Sequence, residues 1–164
     1  MKALSLQQPY ADLIIERAHE DNPYLPLKAI ENRSWPLPAT FTVPQRIYVH
    51  ASMSFYPVTL GELRNGMTVS QWLRLRNRLH TIFMLWESYK ADGDFRRKMG
   101  YFGCLIGEVT ITGQVTRSDN PWFFGPYGFT LAEPVRYDKA IPCRGSLGFF
   151  EPNITQEVIG CKKD

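Results

Sequence analysis

Residues 28 to 38, KAIENRSWPLP, place Lys28, Glu31, Asn32, Arg33 and Ser34 within seven positions. An amine, a carboxylate, an amide, a guanidinium and a hydroxyl this close together point to hydrolytic or ligand-binding chemistry. A lysine in a cleft wall binds phosphate as a point charge, or takes a proton from water once desolvation makes its amine neutral. Glu31 would then position that water or protonate a leaving amine, and Asn32 would offer a donor to an oxyanion. Lys28 and Glu31 are therefore the catalytic candidates. Strand alternation puts Glu31, Arg33 and Trp35 on one face and Ile30, Asn32 and Ser34 on the other. Lys28, three residues before Glu31, joins it only if the chain turns at Lys28, and Pro26 fits such an approach. The competing reading is structural, with Glu31 and Arg33 paired to fix the strand at the mouth of the fold.

Asn32, Arg33, Ser34 and Trp35 are the ligand-binding candidates of this segment. Elsewhere, Trp122, Tyr127 and Phe129 offer stacking surface for an unpaired base, or serve as ordinary core aromatics. Asn120-Pro121 and Gly125-Pro126 place Trp122 in a loop, where function concentrates. His50 reads as a ligand or general acid, or as a histidine satisfying a backbone carbonyl. Arg144 and Ser146, flanking Gly145, would meet phosphate or form a plain turn. Gln7 and Gln8 carry amides suited to a base edge or to capping the helix that follows.

The 164 residues fit one domain spanning 1–164, with enough chain to bury a core. The apolar share of 44% and charged share of 21% are those of a globular protein. The net charge of +3 is unevenly placed. Between Trp72 and Lys98 stand seven basic and three acidic residues, whereas the rest of the chain carries 12 and 13. With aromatics interleaved, this region reads as a footprint for an anionic polymer, or else as a solvated helix face. Arg74, Arg78, Arg96, Arg97 and Lys98 are its candidate contacts to a nucleic-acid backbone.

Cys104, Cys143 and Cys161 are odd in number and widely spaced, as are His19, His50 and His80. No metal site and no cofactor is expected, and free thiols point to a reducing, cytoplasmic setting. The N-terminal MKALSLQQPYADLIIERA lacks the apolar run of a signal peptide, and no stretch reaches membrane length.

The elements that must position these groups follow from periodicity. KALSLQ reads as a strand, Pro9 opens a short helix, and HEDNPYLPL reads as a loop. Residues 29 to 35 and RIYVHAS are further strands. One long helix covers 69 to about 90, with Trp72, Leu75, Leu79, Ile82, Phe83, Trp86 and Tyr89 on one stripe. ADGDFRRKMGYFG reads as a loop. CLIGEVTITGQVT, YGFTLAEPVRY and GSLGFFE complete a run of strands. The fold class is α+β, with a small, strongly bent sheet closing toward a barrel.

Six segments together, LSLQQPYADLI, KAIENRSW, IYVHAS, GEVTITGQV, PWFFGPYGFTL and IPCRGSLGFF, resemble the ASCH domain of the PUA-like superfamily. The likeness runs from about Leu4 to Phe150. It implies a PUA-like β-barrel flanked by helices, with the long helix as an insertion and a cleft beside the 28–35 strand. Members are associated with binding RNA or DNA, so RNA, another nucleic acid or a modified nucleoside is the implied partner. One bacterial branch removes the acetyl group of N(4)-acetylcytidine, and ribonuclease activity is ascribed to another. A protein-interaction module is the remaining alternative. The amidohydrolase signature is a lysine followed three positions later by threonine. Lys28 matches the lysine, whereas Glu31 stands at the threonine's position. SDNPWFFGPYGF offers no counterpart to that branch's catalytic glutamate.

Overall fold

A computed structural model describes residues 1–154. In chain order the elements are β1 (Ala3–Gln8), α1 (Tyr10–Ile15), β2 (Arg17–His19), β3 (Asn22–Pro26), β4 (Ile30–Arg33) and β5 (Gln45–Phe55). Then come α2 (Leu60–Asn65), α3 (Val69–Ser88), α4 (Gly93–Lys98), β6 (Cys104–Val115), β7 (Tyr127–Pro142) and β8 (Phe149–Phe150). Six strands form one curled half-barrel sheet in the order β4-β7-β6-β5-β1-β8, and β2 with β3 makes a separate hairpin. The class is α+β. Only β1 and β5 run parallel; the other neighbours are antiparallel.

Gly107 shows how the sheet curls. A Cβ there would lie 2.1 Å from the Val135 carbonyl oxygen and 3.0 Å from the Ile15 side chain. Only glycine lets β7 and α1 approach β6 this closely. The register of β6 on β7 slips on either side of this point, adding bulges that bend the strands.

Leu4, Leu6, Ile14, Ile15, Val49 and Phe129 form the core between the sheet and α1. Phe129 is fully buried, which stabilises the fold by roughly 2–3 kcal/mol. A second cluster joins Leu13 and Leu63 to Leu75, Leu79 and Phe83 of α3. Thr68 and Gln71 close a capping box at the start of α3. The buried stripe of α3 follows the helical period. Trp72 and Trp86 are half-buried at its edges, and Tyr89 is exposed. No helix among the described residues is long and apolar enough to cross a membrane.

Four segments differ from the sequence-based expectation. The stretch read as a loop at 19–27 contributes to the β2–β3 hairpin, where Asn22 Oδ1 accepts from Tyr24 N at 3.0 Å and β3 lies against β7. Pro23 and Pro26 are tolerated because short edge strands leave N–H positions unpaired. The stretch read as a loop at 91–103 contains α4, capped by Asp92 Oδ1 on Phe95 N at 2.9 Å. Helix α2 is additional, fixed by the reciprocal caps of Thr59 and Glu62. Strand β4 stops at Arg33, short of Trp35.

Candidate functional site

Two backbone bonds set the position of Lys28. Leu27 N donates to Glu16 O at 2.7 Å and Lys28 N to Leu13 O at 3.1 Å, so the chain bends here before β4 begins. That is the turn that convergence with Glu31 requires. Lys28 is 1% exposed, and its Nζ donates to Ile30 O at 2.6 Å and to Glu31 Oε2 at 2.8 Å. The Tyr10 ring lies 5.1 Å from Nζ. An ammonium has three donors and no acceptor, so two of the three are committed within the fold. The other oxygen of Glu31 faces Arg33 Nη2 at 3.1 Å, and the same nitrogen donates to Ser5 O at 2.9 Å. Glu31 thus sits between two cations. Arg33 Nε is buried without a hydrogen-bond partner among the described residues, as are Arg74 Nε and Arg96 Nε.

Lys28, Glu31 and Arg33 line a cavity of about 520 Å³. Tyr10, Tyr56 and Phe124 supply aromatic wall, and Gln7 an exposed amide. Tyr10 and Tyr56 have ring centroids 4.7 Å apart, and Phe124 is 72% exposed. Burial pushes the Tyr10 hydroxyl above its ordinary range, and Tyr56, Glu62 and Glu31 add to the effect, so it stays a neutral donor. Gln8 faces inward instead. Its Oε1 accepts from Asp12 N at 3.2 Å in the first turn of α1, and its Nε2 donates to Tyr101 O at 2.7 Å.

Other residues of the segment do different work. Asn32 Nδ2 donates to Trp122 O at 2.8 Å and its Oδ1 accepts from Phe124 N at 2.8 Å. Its amide is therefore committed to holding the 122–124 loop, and through it Phe124, over the cavity. Trp122 is half-buried with its ring edge-on to Tyr10 at 6.2 Å, and it does not line the cavity of Lys28. Trp35 packs edge-on against Phe129 and Phe149, with the Arg33 guanidinium 5.6 Å from its ring. Ser34 is exposed beyond the end of β4, and Tyr127 pairs with Arg33 across β4 and β7.

A second cavity, of about 990 Å³, abuts the first and shares Ser5, Ser52 and Leu147 with it. His50, Arg144 and Ser146 line it. His50 Nε2 lies 3.0 Å from Cys143 O, which can only accept, so Nδ1 accepts from the Ser5 hydroxyl at 2.8 Å. Burial lowers the pKa of His50, against the opposing pull of the Cys143 carbonyl, so the ring is neutral at pH 7. A Cβ at Gly145 would stand 2.4 Å from the His50 ring and 2.8 Å from Ser5 Oγ. Backbone thus lies directly against the Ser5–His50 pair. Its evident work is to clamp the 143–147 loop.

The basic region divides sharply. Arg78 Nε donates to both oxygens of Asp12, at 2.9 and 2.8 Å. Arg74 donates to Arg17 O and faces Glu16 at 3.6 Å. Arg96 is 6% exposed and donates to Met53 O and Lys90 O, each at 3.0 Å. These three guanidiniums join elements of the fold and stand outside the first cavity. Arg97 and Lys98 are exposed, and Arg97 lines the second cavity. Cys104 and Cys143 are free thiols; Cys161 lies outside the described residues. Burial pushes Cys104 up to about 12, so it is an inert thiol at pH 7. Among the described residues no three His, Cys, Asp or Glu side chains converge as a metal site would require.

Tyr10, Tyr56, Phe124 and Ser5 are site residues that the sequence reading did not select. Their one local signal was shared: each aromatic lies within two residues of a proline, where the chain leaves a regular element. Comparison with protein-family models and with curated proteins finds no match for this chain.

Proposed function

We propose that this is an ASCH-type, PUA-like domain that binds a nucleobase of single-stranded RNA, or a modified nucleoside, in the cavity of Lys28, Glu31 and Arg33. The observation that supports it is the pairing of a doubly held carboxylate with aromatic walls in one cavity. Planar bases stack on aromatic rings, at about 1–3 kcal/mol per base, and Tyr10, Tyr56 and Phe124 offer such surface. A carboxylate accepts from an exocyclic amine, as it does from cytosine N4, and Glu31 is held as an acceptor by Lys28 and Arg33.

Binding fits this geometry better than catalysis by Lys28. Its Nζ donates to Glu31 and to a carbonyl, and Asn32 is engaged with the 122–124 loop instead of facing an oxyanion. The test is calorimetric titration with the four ribonucleosides, N(4)-acetylcytidine and a short unpaired RNA, with products analysed by mass. Cytidine or adenosine should bind above uridine. Phe124→Ala should weaken binding about tenfold, near the lower end of a stacking loss. Glu31→Gln should narrow the preference between bases. Absence of binding by every probe would end the proposal. Release of acetate or cut RNA by wild type, lost in Lys28→Ala, would replace the binder with a hydrolase.

A further inference from the structure

We infer that the second cavity is a phosphate subsite, so that the ligand is a nucleotide or a phosphodiester strand and not a bare nucleoside. This rests on the base-binding reading of the first cavity. The two cavities meet at Ser5, Ser52 and Leu147, which form a common wall, so one ligand can occupy both. The second is the larger, at about 990 Å³ against 520 Å³, and far exceeds the space a small acyl substituent on a base needs.

Its charges are one-sided. Arg97 and Arg144 line it, with hydroxyls from Ser52 and Ser146, and among the described residues no carboxylate does. Arg144 is exposed, and its side chain makes no hydrogen bond or ion pair among the described residues. Arg97 is held by Asp94 alone, at 3.1 Å, with side chains 50% and 86% exposed. An ion pair that open to solvent contributes little and exchanges readily for a better anion. Two arginines, one with an unpaired side chain and one in an exposed ion pair, lining a cavity that joins a base-sized one, match phosphate, whose oxygens accept the paired N–H donors of a guanidinium. His50 contributes no charge here, because both ring nitrogens are engaged and burial favours its neutral form.

The experiment compares cytidine, cytidine 5′-monophosphate, cytidine 3′-monophosphate and the dinucleotide CpC at several salt concentrations. It uses wild type, Arg144→Ala and Arg97→Ala, with circular dichroism to confirm the fold of each. The Arg144 side chain bonds to nothing among the described residues, so its replacement should leave the fold intact. At least one phosphate-bearing ligand should bind tenfold or more above cytidine. Arg144→Ala should remove most of that gain and lower the log-log salt slope by about one unit per lost contact. A gain shared by a monophosphate identifies a terminal phosphate, whereas a gain confined to CpC identifies strand backbone. Cytidine binding as tightly as every phosphate ester overturns this inference and leaves the base-binding reading standing. A phosphate gain unchanged in both variants overturns it too. If none of the four binds, this inference falls, while the base-binding reading is decided by the wider set of ribonucleosides, N(4)-acetylcytidine and unpaired RNA.

Discussion

One guanidinium group does three jobs in this protein, and surroundings decide which. Arg33 lies in the cavity wall, tied to Glu31 and Ser5 O, and so it holds the carboxylate in place. The Arg144 side chain is solvated and without a partner among the described residues, and so it is free to meet an anion. Arg96 is buried over the rings of Trp86 and Phe102, 5.3 and 5.2 Å from their centroids, and ties two backbone carbonyls together. Removing it would orphan the carbonyls of Met53 and Lys90 and open space beneath α4. Arg96→Ala should therefore cost about 2–3 kcal/mol of unfolding free energy in urea titration. The salt slope of RNA binding should not move. A slope lowered by one unit with stability unchanged would return Arg96 to the phosphate contacts. Sequence alone could not separate these arginines, since Arg96 and Arg97 are neighbours with opposite fates. What divides them is which side of a six-residue helix faces Met53.

At the scale of elements, α1, α3 and β7 meet at a single carboxylate. Asp12 is 1% exposed and accepts from Arg78 of α3 and from Arg136 of β7, the latter at 3.0 and 2.9 Å. Arg136 also reaches Glu16 at 2.9 Å, so it keeps a partner if Asp12 is lost, whereas Asp12 keeps Arg136 if Arg78 is lost. The costs should be unequal. Asp12→Ala leaves two guanidiniums facing a buried gap and should destabilise by about 3 kcal/mol, while Arg78→Ala, at a partly exposed edge, should cost about 1 kcal/mol. Thermal unfolding of both variants checks the order. Equal costs would mean that Arg78, and not the packing of Leu75 and Leu79, docks α3. The helix itself was legible from its apolar stripe, as were β1, β5 and β6 from alternation. The bend that brings Lys28 to Glu31 was legible only as a condition, because the bonds that impose it come from Leu13 and Glu16. Asn32's engagement with Trp122 and Phe124, about 90 residues away, had no local signal at all. Short, edge-lying elements such as β2, β3 and α4 escaped for the related reason that neighbours, more than their own periodicity, hold them.

For the whole molecule, two buried groups fix how stability responds to acid. Burial alone would raise the pKa of Asp12, yet Arg136 and Arg78 together hold it at about 2, below its ordinary 3.8. The unfolded chain therefore binds this proton first. The stabilisation, about 2 kcal/mol, is fully present above pH 4 and is lost as pH falls toward 2. His50 has the same sign for a different reason. Burial lowers its pKa below the ordinary 6.5, so the unfolded chain protonates more readily and stability declines as pH drops below that value. Protonation would also convert Nδ1 from acceptor to donor and disturb its bond with the Ser5 hydroxyl, loosening the 143–147 loop. Acidification should thus lower the unfolding free energy in two stages, a shallow one beginning near pH 6.5 and a steeper one between about 4 and 2. Urea titrations at stepped pH resolve them. His50→Gln should flatten the first stage and Asp12→Asn the second, each leaving the other in place. A first stage that persists in His50→Gln would assign it to another group and free His50 from its place as the clamp of the loop. If the first stage does belong to His50, ligand affinity at the phosphate cavity should fall over the same interval, since Arg144 and Ser146 ride on that loop.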